Sequence, residues 1–185
     1  KFVLEDHRTF GGGEIFANFE NNAAMLDRLA DLKDAGLETT FALQPNEKPL
    51  FRLLNTHLAE FQGVGSTVIA VGDATFTNQR IVFSGATMVR EWDFKKVVSF
   101  TTDVNGYNVR IGVSGMEQTS GLQTVSNYDL GPGYPADYAY TWFKDGEAAA
   151  KKYLRATAEE LRRQVKVERG RKRYPEKPGQ EYEAR

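Results

Sequence analysis

The sequence predicts a mainly β domain with some α: a bent antiparallel sheet or barrel closed by a C-terminal helix, with a short helix ahead of it. Three observations predict it. Between Lys48 and Val125, short apolar–polar alternations recur, broken by turn residues such as Asn78-Gln79 and Asn105-Gly106. Beyond Gly146, the residues Ala150, Leu154, Ala158, Leu161 and Val165 recur at spacings of four, four, three and four, which is one face of a helix. At 185 residues the chain suffices for one core with tails left over. The resulting division is a lead-in and helix over 1–44, a β domain over 45–167 and a basic tail over 168–185.

Taken in order, residues 1–19 read as irregular, because Gly11-Gly12-Gly13 favours neither helix nor strand. A helix follows from about Asn22 to Ala35, with Asn21 or Asn22 as its cap and Gly36 as a left-handed terminator. Met25, Leu26, Leu29 and Leu32 form its apolar stripe. Pro49 to Phe61 is an extended candidate, although its apolar spacing also suits a helix. Gln62 to Gly72 follows that candidate. Its Val64, Val68, Ile69 and Val71 either tuck into the core, the preferred reading, or face a partner. Ala74 to Phe83 is a hairpin reversing at Asn78-Gln79, where Asn tolerates positive φ. Met88 to Phe94 sets Val89, Glu91 and Asp93 against Met88, Arg90, Trp92 and Phe94. Val97–Thr101, Tyr107–Val113 and Thr119–Val125 supply further strands. Residues 126–135, with Gly131-Pro132-Gly133, form a loop. Tyr138, Tyr140 and Trp142 alternate as a strand would, yet Pro135 equally suits a helix start, so both readings stand. The last helix runs from about Gly146 to Lys166, capped by Asp145. From Arg169 onward apolar residues are few, and a mobile tail is expected.

Composition narrows the chemistry. Lys and Arg total 24 against 25 Asp and Glu, so no global field marks a nucleic-acid or membrane protein, and such a role needs a local patch. The absence of cysteine removes disulfides, thiolate zinc sites and a Cys nucleophile together. It also fits a reducing compartment. No apolar run approaches the ~20 residues of a membrane span. Lys1 to Asp6 lacks the apolar stretch of a signal peptide, and the expected location is the cytoplasm. His7, beside Glu5 and Asp6, reads as a charged loop residue. His57, near Glu60, reads as a structural residue with one polar contact. Glu91 and Asp93 share a strand face at about 7 Å, compatible with a glycosidase-like pair. Balance against Lys95 and Lys96 is the preferred reading of those acids. Gly11-Gly12-Gly13-Glu14 lacks the Lys-Ser/Thr ending of a phosphate loop, and Gly112-Val113-Ser114-Gly115 is not a nucleophile elbow. No enzyme, metal or cofactor is expected.

Within the strand region, the run from Gly72 through Asn78-Gln79-Arg80 to Gly85 resembles the central hairpin of bacterial PH-like domains of the GRAM type. Arg90-Glu91-Trp92-Asp93-Phe94 and Val97-Val98-Ser99-Phe100 resemble their next two strands. Val113-Ser114-Gly115 and Gln118-Thr119-Ser120-Gly121 resemble a later hairpin. The likeness covers about residues 45–165. It implies a seven-stranded, strongly bent sheet closed by a helix, in a class of binding and scaffolding modules. One departure concerns phosphoinositides. Headgroup binding in this class implies Lys and Arg in the loop after the first strand, and Gln62 to Gly72 contains neither.

The expectation is therefore a non-catalytic module working through protein contact or self-association. The aromatic group Tyr128, Tyr134, Tyr138, Tyr140 and Trp142 is its candidate interface, with core packing the competing reading of the alternating three. The alternative is an anionic surface, lipid headgroup or nucleic acid. It would be held by Arg162, Arg163, Lys166, Arg169, Arg171, Lys172 and Arg173. A solubilising helix end, favoured by the helix dipole, competes with that reading.

Overall fold

The computed structural model describes residues 14–32, 36–63, 65–103, 106–124 and 131–173, with the side chains of 14–18 and 168–173 outside the description. Helix α1 (Glu14–Asp31) precedes seven strands: β1 (Pro49–Gln62), β2 (Gly65–Thr77), β3 (Arg80–Gly85), β4 (Val89–Asp93), β5 (Val97–Thr102), β6 (Asn108–Val113) and β7 (Thr119–Gln123). Helices α2 (Gly133–Asp145) and α3 (Glu147–Arg173) follow.

All the strands lie in one sheet ordered β4-β3-β2-β1-β7-β6-β5, and every neighbour pair is antiparallel. The two edge strands, β4 and β5, are joined by a single 3-10 turn, Phe94–Lys96. Laid flat, seven strands at about 4.8 Å would hold their edges almost 30 Å apart. Three residues reach about 10 Å. The sheet must therefore bend until its edges meet at one corner. That corner is pinned on both sides: the Phe94 amide donates to Gln79 O at 3.0 Å, and the Ser114 amide donates to Lys96 O at 2.9 Å. No backbone ladder joins β4 to β5, so the sheet is not hydrogen-bonded into a closed barrel. A side chain crosses the gap instead. Trp92 on β4 is fully buried, and its indole N–H donates to Ser120 Oγ of β7 at 3.1 Å.

Three bulges shape the long β1–β2 ribbon, the first of them an extra β1 residue between Pro49 and Phe51. Between Leu53 and Thr56, β1 carries one residue more than its partner, and Asn55 takes φ 53° there. Between Leu58 and Ala59 the extra residue belongs to β2. The segment expected to be a loop, Gln62 to Gly72, is mostly the first half of β2. The bulge between Val68 and Ala70 breaks the alternation that would have announced a strand. Val68 and Val71 are exposed and only Ile69 packs on the core, so the preferred core reading fails for those two valines. Val64 lies outside the described residues. The Asn78-Gln79 reversal is as expected, but Asn78 does not take positive φ. Its carboxamide instead fastens the preceding segment, accepting from the Lys48 amide and donating to Asn46 O.

Helix α1 begins at Glu14 and ends at Asp31, so Asn21 and Asn22 lie inside it and cap nothing. Gly36 does hold φ 56°, but beyond the helix end. The irregular reading of 1–19 fails from Glu14 on, and residues 1–13, with His7 and the three glycines, lie outside the described residues.

The open choice over 138–142 resolves as helix. On α2, Tyr134, Tyr138 and Trp142 fall four apart on one face, and Tyr140 and Phe143 fall three apart on another. Gly131 and Gly133 let the start of α2 press onto the β5–β6 turn. A Cβ at Gly131 would stand 2.0 Å from Gly106 O, and the Gly133 amide donates to that carbonyl at 2.9 Å. Asp145 is the last residue of α2 and not a cap. Gly146, at φ 87°, ends α2 and accepts the first bond of α3 from Ala150. The predicted stripe Ala150, Leu154, Ala158, Leu161 and Val165 is buried throughout. Helix α3 continues to Arg173, about 40 Å at 1.5 Å per residue. The expected tail from Arg169 is thus helical over its first residues, and 174–185 lie outside the described residues.

Candidate functional site

Three features of the described surface and interior bear on function: the two sheet edges, the aromatic face of α2 and the charged networks.

The two edge strands carry the most exposed large hydrophobic residues among the described ones. Val89 on β4 is 69% exposed and Val98 on β5 is 72% exposed. Strand β4 is short and carries Arg90, Glu91 and Asp93, which discourages pairing with another chain. Strand β5, Val-Val-Ser-Phe-Thr-Thr, carries no charge. Its protection is limited to the bulge between Val97 and Ser99.

The aromatic group predicted as an interface works largely in packing. Tyr138 is buried at 4% exposure, with Trp142 edge-on at 5.7 Å between ring centroids. Tyr140 stacks on Phe100 at 4.4 Å and meets Phe94 edge-on. Tyr134 is half-buried against Gly106, and burial pushes its hydroxyl up to about 12. Tyr138 therefore offers no surface to a partner, and Tyr134, Tyr140 and Trp142 offer only part of theirs. Tyr128 lies outside the described residues.

On the inner side of α2 sits a half-buried acid that sequence reading missed. Asp137 Oδ2 accepts from Tyr153 Oη of α3 at 2.8 Å and from Thr102 Oγ1 of β5 at 3.0 Å, tying three elements together. Burial raises the Asp137 pKa, and the two hydroxyl donors offset this only in part. Burial and this same carboxylate also push the Tyr153 hydroxyl up. A raised folded-state value means the native state holds its proton longer than the unfolded chain does. Stability then falls as pH rises from the ordinary 3.8 through the raised value. Asp137→Asn should remove that fall, raising the thermal midpoint at neutral pH while leaving the acidic one unchanged. Parallel midpoint-versus-pH curves for the two proteins would contradict this.

A second network was equally invisible in sequence. Arg80 on β3, 8% exposed, donates from Nε to Glu47 Oε1 at 2.8 Å and from Nη2 to Glu47 Oε2 at 2.9 Å. It also donates to Ala42 O at 2.7 Å, pairs with Glu91 at 2.9 Å and stacks on Phe41 at 5.0 Å. Burial pushes the Glu47 carboxyl up. Hydrogen bonds from Arg80, the Gln44 amide and Thr77 outweigh it and hold the group below its usual range. The result is a clamp that lays residues 41–47 across the β2–β3 hairpin. Glu91 belongs to this clamp, and Asp93 caps the Lys95 amide, so the two acids considered as a hydrolytic pair serve separate structural ends.

The basic cluster is partly neutralised from within. Arg162 pairs with Asp27 of α1 at 2.5 Å, and Arg163 holds Glu160 with two bonds of 2.8 Å. Lys166 is exposed. Arg169, Arg171, Lys172 and Arg173 continue α3, with their side chains outside the described residues. His57 stands between Val71 and Gln123 on β1, while Glu60 faces Arg90 at 3.8 Å. Among the described residues no group of three His, Cys, Asp or Glu is placed to hold a metal. None of their helices is long and apolar enough to cross a membrane.

No family model and no curated protein matches the chain. Among solved structures, it is distantly similar to the C-terminal domain of an unknown protein from Leishmania infantum. That likeness has 12% identity and a TM-score of 0.32, over 55% of this chain and 85% of the other. A chain of the 8S snRNP assembly intermediate is similar at 11% identity and a TM-score of 0.35, over 63% of this chain and 88% of that one.

Proposed function

We propose that this chain is a non-catalytic PH-like binding module of the bacterial cytoplasm, acting through protein contact or self-association at the β5 edge. The observation that carries the reading is the uncharged outer strand β5, with Val98 bare at 72% exposure, beside an otherwise well-buried core. An extended segment of another chain pairs naturally with such an edge, backbone to backbone. The meander order, the sharp bend and the packed C-terminal helices support the PH-like comparison. The described carboxylates support a binding role, because Glu47, Glu91, Asp93 and Asp137 are each fastened to structural partners. The sequence's preferred interface, the α2 aromatic group, yields to β5 in this reading, since its rings are occupied in packing.

Val98→Asp tests it. The side chain is too exposed for the change to cost more than about 0.5 kcal/mol of stability. It should weaken self-association in light scattering, or capture of a bound protein from the native cell, at least tenfold. A variant that associates and captures as the parent does would refute the role of β5.

A further inference from the structure

Taking β5 as the docking strand, as proposed above, we infer that its partner is an acidic extended segment of another protein, running antiparallel with its acids after its apolar residues. Three lysines gather at the start of β5. Lys95 and Lys96 belong to the turn that leads into the strand, and both are exposed. Lys144, exposed in the last turn of α2, lies 5.5 Å from the centre of the Tyr140 ring, and Tyr140 stacks on Phe100 of β5.

Among the described residues none of these three ammonium groups has an ion-pair partner. The acids that the sequence set against Lys95 and Lys96 are committed elsewhere. Glu91 pairs with Arg80, and Asp93 accepts from the Lys95 backbone amide. Glu117, in the turn after β6, and Asp145, beside Lys144, are exposed but bond to none of the three. At the other end of β5 the sign reverses. Asp103 follows Thr102, and its carboxylate is held by the Tyr107 amide and the Asn108 carboxamide. The edge therefore runs from positive at Val97 to negative beyond Thr102.

The partner's chemistry follows from these two features. The outward amides and carbonyls of an uncharged edge strand need a backbone in register, which a peptide supplies and a lipid headgroup does not. The ammonium groups need carboxylates, because a neutral or basic partner would shed their water and return nothing. Every pairing within the sheet is antiparallel, the arrangement slightly more stable per residue. An antiparallel partner meets Lys95 and Lys96 with its C-terminal end, so its acids come last.

Capped, labelled peptides on the full chain test this by fluorescence anisotropy. One reads Ser-Val-Thr-Val-Ser-Glu-Glu, a second places both Glu first, and a third has Lys in place of Glu. The acid-last peptide should bind about tenfold more tightly than the Lys peptide, and more tightly than the acid-first one. Lys95→Gln, Lys96→Gln and Lys144→Gln combined should weaken it about tenfold, as exposed pairs are worth about two- to threefold each. The thermal midpoint should not move, since all three side chains are exposed. Val98→Asn, which adds no charge, should weaken every peptide. Peptides that bind alike, sensitive to Val98→Asn and indifferent to the lysine changes, would leave β5 as the docking strand and overturn the acid preference. Acid-last binding that Val98→Asn leaves intact would overturn both. Equal binding of the acid-first and acid-last peptides would overturn the antiparallel partner. Absence of peptide binding also overturns the inference, and lysine-dependent binding to phosphatidylserine vesicles in its place would assign the patch to a membrane.

Discussion

Arg80→Ala should destabilise the protein by about 3–5 kcal/mol, the usual loss when one member of a buried ion pair is removed. Domains of this kind have about 5–15 kcal/mol in total, so the variant would approach the threshold of folding. The reason lies with what stays behind. The Glu47 side chain has no exposed surface, and without the guanidinium it keeps only the Thr77 hydroxyl and the Gln44 amide. Urea unfolding measures the loss, and a change below about 1 kcal/mol would show that the clamp is dispensable. The pH profile adds a second signature. Glu47 titrates lower in the folded state, so its stabilisation is present above the ordinary value of 4.5 and is lost as pH falls through the depressed one. In Arg80→Ala that acid-side loss should shrink. Replacing both partners, Arg80→Leu with Glu47→Leu, should recover much of the stability because no orphaned charge remains.

Trp92→Ala should cost a similar amount, about 3–5 kcal/mol, as a large aromatic removed from a full core. Trp92 bridges the interior from the β4 edge to β7. Trp92→Phe separates the two parts of its role. It keeps most of the ring and deletes the donor to Ser120, which is itself buried at 1% exposure. Trp92→Phe should lose about 1–3 kcal/mol. The chain has two tryptophans, so Trp142 remains as the fluorescence probe of unfolding in either variant. Equal losses for Phe and Ala would assign the whole effect to the hydrogen bond, and no loss for Phe would assign it to packing.

Much of this fold was legible where the signal is local. Strand β4 alternates cleanly, with Trp92 inward and Val89 and Glu91 outward, and the α3 stripe is buried at all five predicted positions. What failed was non-local or doubly periodic. Tyr138, Tyr140 and Trp142 fit a period of two as well as two faces of a helix, and the packing of Tyr140 on Phe94 and Phe100 is long-range and invisible to spacing. The first half of β2 was lost because its bulge interrupts the pattern. The Arg80–Glu47 clamp joins residues 33 positions apart, and the Asp137–Thr102 bond joins residues 35 apart. No spacing rule links groups so distant. For Tyr138, Tyr140 and Trp142 the sequence left packing and interface both open, because aromatic residues look alike in sequence whether they pack or face outward.

The strand order has a kinetic consequence. β1 lies at the middle of the sheet, with β2 on one side and β7, the last strand made, on the other. Strands β1 to β4 can assemble by successive hairpins as the chain emerges. The Leu58–Leu122 pairing must wait until nearly the whole domain has been synthesised. Closing so long a loop slows the search, and one flank of β1 stays unpaired in the meantime. Folding of this chain should therefore be limited by the arrival of β7, and a nascent form stalled before Thr119 would hold an open, adhesive strand in need of a chaperone.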